Sequence, residues 1–398
     1  MRKSPPPSPR KMDIHPIFKQ QHAAVTYQAP AYLDNLRKVV FATIGVGVVV
    51  IAYVGWWFVL ATGLHDDGLA WIDHLRLGGY TVSYSHMEVG GFPFKLRLTV
   101  ETPDIAPPID KQPWSWRGET VFLDTRPWNF NHMTLRLTGR QSVNFIQDGK
   151  ALNLSGSAET LSAEFDIGEG AGQDIDITVA GLGLSDRERQ KGLEVQAASL
   201  TLRKGIDKRG GLETQAVNLS VDAEDVAVPG LFRLPLGEHL QKLTLRASVL
   251  GKMQPGASQA DTLAAWRDDG GTVEIDRLVV GYGPLGLNAQ GTLALDGSLQ
   301  PIGAFTAKVE GFHKTVDTLR HLRLIKARDA ITAKVVLGVL SKKGRNGGPA
   351  TLSLPLTLQG QKLFGGPVPL LEIPPIDWPG APPPDGNGGE AAGPQKTP

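Results

Sequence analysis

The 398-residue chain reads as a mainly β protein. The expected fold is a long antiparallel, strongly twisted sheet, rolled into a half-open groove or incomplete barrel. A helical hairpin near the C-terminal end and one N-terminal transmembrane helix complete it. Three observations carry this. From Tyr80 onward apolar and polar residues alternate with a period of two over most of the chain. Ahead of that stretch, Val39 to Leu60 is an uncharged apolar run of 22 residues. Cysteine is absent, so an exported domain has to be held by its core and its sheet ladder rather than by disulfides.

Residues 1–38 read as a disordered basic cytoplasmic tail, in whose first 30 residues Pro5-Pro6-Pro7 and Pro9 accompany a lack of periodicity. At about 1.5 Å per residue the apolar run after it reaches about 33 Å, enough to cross a bilayer's hydrocarbon core. Residues 39–61 are therefore expected to be a transmembrane signal anchor. Val59-Leu60-Ala61 resembles a cleavage site, but signal-peptide apolar regions usually span about 7–15 residues, so the segment is expected to stay attached. Arg2, Lys3, Arg10, Lys11, Lys19, Arg37 and Lys38 precede it, and Asp66 and Asp67 are the first charges after it. The positive-inside rule leaves the N-terminus in the cytoplasm and exports the rest of the chain to the periplasmic face of a bacterial inner membrane. Tyr53, Trp56 and Trp57 stand where an outer aromatic belt belongs, and no GxxxG pair supports dimerisation of the helix.

Asp67 to Leu77, with Leu69, Ile72 and Leu75 on one side, has the pattern of a short helix. Residues 62–373 as a whole are expected to form the exported β-rich domain. Leu96, Leu98 and Val100 alternate with Arg97 and Thr99, and Met133, Leu135 and Leu137 with Thr134, Arg136 and Thr138. Ile175, Ile177 and Val179 keep the same rhythm, as do Val217, Leu219 and Val221. Leu243, Leu245, Ala247 and Val249 form one apolar face, and Leu285, Leu287, Ala289, Leu293 and Leu295 another. This is a meander with one apolar and one wet face. Parity slips within Ala197–Leu200 and between Leu154 and Leu161 predict bulges or turns that curl it. Gln259 to Asp268 predicts a helix, and Thr315 to Lys342 a hairpin of two, with Asp329 capping the second. Residues 374–398 turn to Pro, Gly and Ala and read as a disordered end.

Chemical motifs are sparse. Gly281-Tyr-Gly283-Pro-Leu-Gly286 has GxGxxG spacing, but a strand rather than a helix comes after it, so it reads as a hairpin turn. The nine histidines include no HExxH and no i, i+4 pair, which leaves no metal signature. Asp66-Asp67, Asp268-Asp269 and the pair Asp174 and Asp176 read as solvated surface. No P-loop or nucleophile elbow occurs, and a net charge of +1 offers no field for nucleic acid. No catalytic residue, metal or cofactor is expected. One concentration stands out: Phe92, Phe94, Trp114, Trp116, Trp128 and Phe130. These aromatics read either as a core closing the first end of the sheet or, together with Trp56 and Trp57, as a membrane-proximal ledge.

The same residues carry a resemblance. Tyr80-Thr-Val-Ser-Tyr84 leading into Val89-Gly-Gly-Phe-Pro-Phe94, then Trp114-Ser-Trp116 and Arg126-Pro-Trp-Asn-Phe130, resemble a bacterial family known as domain of unknown function 2125 (DUF2125). Gly291-Thr-Leu-Ala-Leu-Asp296 with Leu299-Gln-Pro-Ile-Gly303, and Pro355-Leu-Thr-Leu358 with Gly365-Gly-Pro-Val-Pro-Leu370, extend the likeness over about Val39 to Pro375. The Gly291 element is also similar to AsmA-like envelope proteins, whose sheets coil into lipid-carrying grooves. The resemblance implies a single-anchor, β-rich envelope protein and carries over no catalytic residue.

The expected function is lipid binding or transfer in cell-envelope maintenance. Leu285, Leu287, Leu293, Leu295, Leu243, Leu245 and Val249 form the candidate groove for a phospholipid. The alternative is a non-enzymatic envelope scaffold that docks a protein partner; an enzyme is the least supported reading.

Overall fold

The computed structural model describes residues 31–108, 113–147, 149–167, 174–207, 214–232, 234–254, 256–341, 350–366 and 368–379. The proline-rich first 30 residues and the stretch from residue 380 lie outside these. The chain divides into two compact units, residues 1–56 and 57–398.

The first unit is described only as helix. Helix α1 runs Ala31–Leu77, and its portion from Lys38 contains an 18-residue window of mean hydropathy 2.3, long and apolar enough to cross a membrane. The short helix expected over Asp67 to Leu77 is therefore not a separate element: no proline stands between Leu60 and Asp67 and Gly63 is accommodated within the turns, so the helix continues.

The second unit is one antiparallel sheet that is not closed into a barrel. Strands β1 (Thr81–Ser83), β2 (His86–Gly90), β3 (Leu96–Glu101) and β4 (Asp104–Ala106) form its first edge against β5 (Trp114–Arg126). Strand β6 (Asn129–Gln147) pairs next, then β7 (Lys150–Ser157) and β8 (Thr160–Asp166) end to end, followed by β9 (Ile175–Asp186). From there each strand pairs with the next in sequence: β10 (Lys191–Asp207), β11 (Thr214–Ala227), β12 (His239–Leu250), β13 (Thr272–Tyr282), β14 (Leu285–Leu295) and β15 (Pro301–Glu310). The last are β16 (Thr351–Gln359), β17 (Lys362–Gly365) and β18 (Val368–Glu372). The GxGxxG stretch is the β13–β14 turn: Gly283 takes a φ of 55°, which an L side chain rarely adopts.

Helix α2 (Gln259–Asp268) starts where Ser258 accepts the Asp261 N–H, and Trp266 anchors it by donating to the Leu250 carbonyl at 2.9 Å. Helices α3 (Phe312–His321) and α4 (Ala327–Leu340) make the expected hairpin. Its second helix begins after Lys326, so Asp329 lies inside the first turn rather than at the cap.

A crease crosses the sheet. Thr102, Gly139, Gly181 and Asp225 have φ of 46°, 72°, 57° and 49°, on alternate strands along one line. Between them stand Glu119, Glu159 and Gln196, with Gln241 beyond Asp225, all left out of the regular register. The apolar parity shifts at this line: Ile177 and Val179 give way to Leu182 and Leu184, and Leu200 and Ala198 to Val195 and Leu193. The break between β7 and β8 answers the slip expected between Leu154 and Leu161, and the β10 slip sits at Gln196, just before the expected place.

Candidate functional site

The register builds one continuous apolar row. Val89 lies opposite Leu98, Leu98 opposite Leu123, and Leu123 opposite Leu135. The row continues through Ala163, Ile177, Leu200 and Val221 to Leu245, each facing the next. It ends through Leu278, Ala289, Ala307 and Leu354, so that 13 successive strands contribute to it. Leu243, Leu245, Val249, Leu285, Leu287, Leu293 and Leu295 flank the same row: Leu243 faces Val280, which faces Leu287, and Val249 faces Val273, which faces Leu293. All seven are half-buried.

Helices cover the two ends of the row. On the first, Trp57, Ala61 and Leu64 of α1 pack with Leu96, Leu98 and Met133, flanked by Met87, Val89, Leu123 and Phe165. Gly68 lets α1 approach: a Cβ there would stand 3.1 Å from the Leu98 side chain. On the last, α3 lies beside β14 and α4 beside β16. Ala289, Ala307 and Leu352 are buried there, whereas Asn288, Gln290, Lys308 and Ser353 of the other face are exposed. Along the middle the row opens. Leu135, Ala163, Leu200, Val221, Leu245 and Leu278 are half-buried, and Ile177 is exposed.

The wet face is occupied by ion pairs. Asp124, buried, receives hydrogen bonds from Arg97 at 2.6 Å and Arg136 at 2.6 Å, with Lys95 at 3.4 Å. Burial by itself would raise its pKa, but the bonds from Arg97 and Arg136 outweigh this and hold the carboxyl below its ordinary value. Two repeated units lie farther along. Thr201 lies directly opposite Asp176 and donates to it at 2.7 Å, with Arg203 also bound to that carboxylate. Thr244 lies opposite Asp222 and donates at 3.0 Å, with Arg246 bound at 2.5 Å. The arginine bonds, above all, lower the pKa of both aspartates. These carboxylates are thereby committed to cross-strand pairs.

Two polar clefts lie on the crease. One, of about 900 Å³, is lined by Glu119, Arg140, Asn153, Asp186 and Arg189 among others. The other, of about 440 Å³, is lined by Gln196, Asp225 and His239 among others. In the first, Asp186 is buried and accepts the backbone N–H of Asn153 at 3.3 Å and of Arg189 at 3.1 Å, so it serves the fold. His132 pairs with Asp166 at 2.8 Å. Among the described residues no cluster of His, Asp or Glu could hold a metal ion.

The aromatic group is divided by the structure. Trp57 is 4% exposed, donates to the Lys95 carbonyl at 3.2 Å and meets Phe92 edge-on. Phe92, Phe94 and Trp128 occupy the β2–β3 and β5–β6 turns at one end of paired strands, all exposed. Trp114 and Trp116 stand at the other end of β5, where Trp116 donates to Gln141 at 3.2 Å. At about 3.3 Å per residue, the 13 residues of β5 separate the two groups by roughly 40 Å. Trp56 is exposed on α1. Spacing in the sequence put these rings in one stretch because a β strand carries near neighbours in sequence far apart in space.

A bacterial family described as "uncharacterized protein conserved in bacteria (DUF2125)" matches residues 57–374. No curated protein and no solved structure matches the chain.

Proposed function

The chain belongs to the DUF2125 family, and from that premise we propose that it is a single-pass membrane protein whose sheet holds lipid acyl chains along its apolar row. The observation that carries this reading is the opening of the row between its helical ends. Burying a Leu or Ile side chain is worth about 1.5–3 kcal/mol, and soluble monomers seldom expose more than a few hundred Å² of contiguous apolar surface. A half-exposed row crossing the middle strands therefore calls for an apolar cover, and acyl chains supply one of matching chemistry. The basic residues before Val39 support a cytoplasmic N-terminus and a periplasmic sheet. The protein is read as non-enzymatic, a reading supported by the engagement of Asp124, Asp176 and Asp222 in cross-strand pairs.

Ile177→Asp tests the reading. Ile177 is exposed, so the change leaves the fold intact, which an unchanged proteolysis pattern of the full chain verifies. Capture of a photoreactive phospholipid should fall several-fold relative to wild type; unchanged capture would refute the row as the binding surface. A second reading, docking of a protein partner, draws on the exposed Leu322, Leu324, Ile331 and Val335 of the α3–α4 hairpin. A stoichiometric protein crosslink at Val335, with no lipid adduct on the sheet, would favour it.

A further inference from the structure

We propose that Phe92, Phe94 and Trp128 form an aromatic wedge that enters the interfacial layer of the membrane spanned by the apolar part of α1 that begins at Val39 and ends before the buried Trp57, giving the protein a second contact with lipid. The inference rests on the anchor reading above and is independent of the lipid groove. Three facts converge on it. The rings are 50%, 71% and 60% exposed, an unusual state for side chains of this size. They occupy the β2–β3 and β5–β6 turns at the same end of the sheet, where Leu96 of β3 pairs with Thr125 of β5 and Arg126 of β5 with Asn129 of β6. Their place along the chain's path is fixed by Trp57, whose ring lies 5.4 Å from that of Phe92 at 88°. Trp57 itself belongs to the apolar run.

The β2–β3 turn that presents Phe92 and Phe94 is tight. Gly91 has a φ of 98°, and a Cβ there would stand 2.8 Å from the Lys95 carbonyl oxygen, so the chain doubles back tightly and Lys95 donates its N–H to the Gly91 carbonyl at 3.1 Å. This leaves Phe92 and Phe94 projecting from the tip. Aromatic rings favour the membrane–water interface, where an apolar body and a quadrupole are both accommodated. Trp114 and Trp116, at the opposite end of β5, take no part.

Because the chain contains no cysteine, single-cysteine labelling reads depth cleanly. Phe94→Cys, Trp128→Cys, Val50→Cys and Ile146→Cys are each made in the full chain, spin-labelled and reconstituted into phosphatidylethanolamine–phosphatidylglycerol vesicles. Ile146 is exposed near the far end of β6 and is the aqueous reference. The expected result is a ratio of oxygen to nickel-chelate accessibility several-fold higher at positions 94 and 128 than at 146, with the value at 50 higher still. Values at 94 and 128 equal to that at 146, with position 50 deep, would overturn the wedge and leave the anchor standing. Exclusion of both relaxants at 94 and 128 would overturn it in favour of a protein contact. An aqueous value at 50 would overturn the anchor and the wedge together.

Discussion

The indole of Trp57 meets the ring of Phe92 edge-on, with centroids 5.4 Å apart, while its N–H donates to the Lys95 carbonyl at 3.2 Å. A residue that the sequence places in the membrane anchor thus belongs to the core of the sheet domain. Trp57→Ala removes a large buried side chain and is expected to cost about 3–5 kcal/mol. Trp56→Ala, one residue away but exposed, is expected to stay within about 0.5 kcal/mol. Thermal unfolding of the full chain in lipid nanodiscs checks the contrast.

Gly68 supplies a second test of helix docking. Gly68→Ala should be close to neutral, because the gain in helix propensity of up to about 1 kcal/mol opposes a 3.1 Å approach to Leu98. Gly68→Leu should cost about 1–3 kcal/mol by overpacking against Leu98 and Met87. Equal stability of the Ala and Leu variants would show that α1 does not rest on β3.

Asp124 links the fold to pH. Its pKa is lowered in the folded state, so it contributes stability that is complete above the ordinary aspartate value and is lost as pH falls through the lowered one. The wild type should therefore lose stability below about pH 4. Asp124→Asn, which leaves Arg97 and Arg136 without their carboxylate, should be about 1–3 kcal/mol less stable at neutral pH and flatter in acid. Both are read from denaturation midpoints across pH.

The two Asp–Thr–Arg units should behave as independent modules. Asp176 on β9 and Asp222 on β11 share no partner, and two strand spacings together with a two-residue offset in register put them roughly 12 Å apart. Each Asp→Ala change is expected to cost about 0.5–1 kcal/mol, since the carboxylates are about 40% exposed. The double variant should be additive within about 0.5 kcal/mol. A larger coupling would reveal communication through β10.

The strand pattern was legible in the sequence because a period of two survives any order of pairing. Leu243, Leu245, Leu287 and Leu293 could be put on one face before the register was known. The docking of α1 could not: within a run apolar on every side, Trp57, Ala61 and Leu64 carry no facing signal, although Gly68 and Ile72 continue the same spacing beyond it. The aromatic stretch misled for a different reason. Trp114 and Trp128 are near in sequence but at opposite ends of one extended strand. The crease left a faint mark, since two of its positions are glycines with Glu119 and Glu159 packed beside them. Thr102 adopts the same positive φ although a β-branched residue gives no sign of it, and Asp225 gives only a weak one.

The lipid groove is tested most directly by mapping, residue by residue, the adducts of a photoreactive phospholipid on the full-length wild-type protein in native membranes. Adducts are expected at Ile177, Leu200, Val221, Leu245 and Leu278, in addition to those from surrounding lipid on Val39–Leu60. Adducts confined to Val39–Leu60 and the aromatic turns, with the row unlabelled, would rule the groove out.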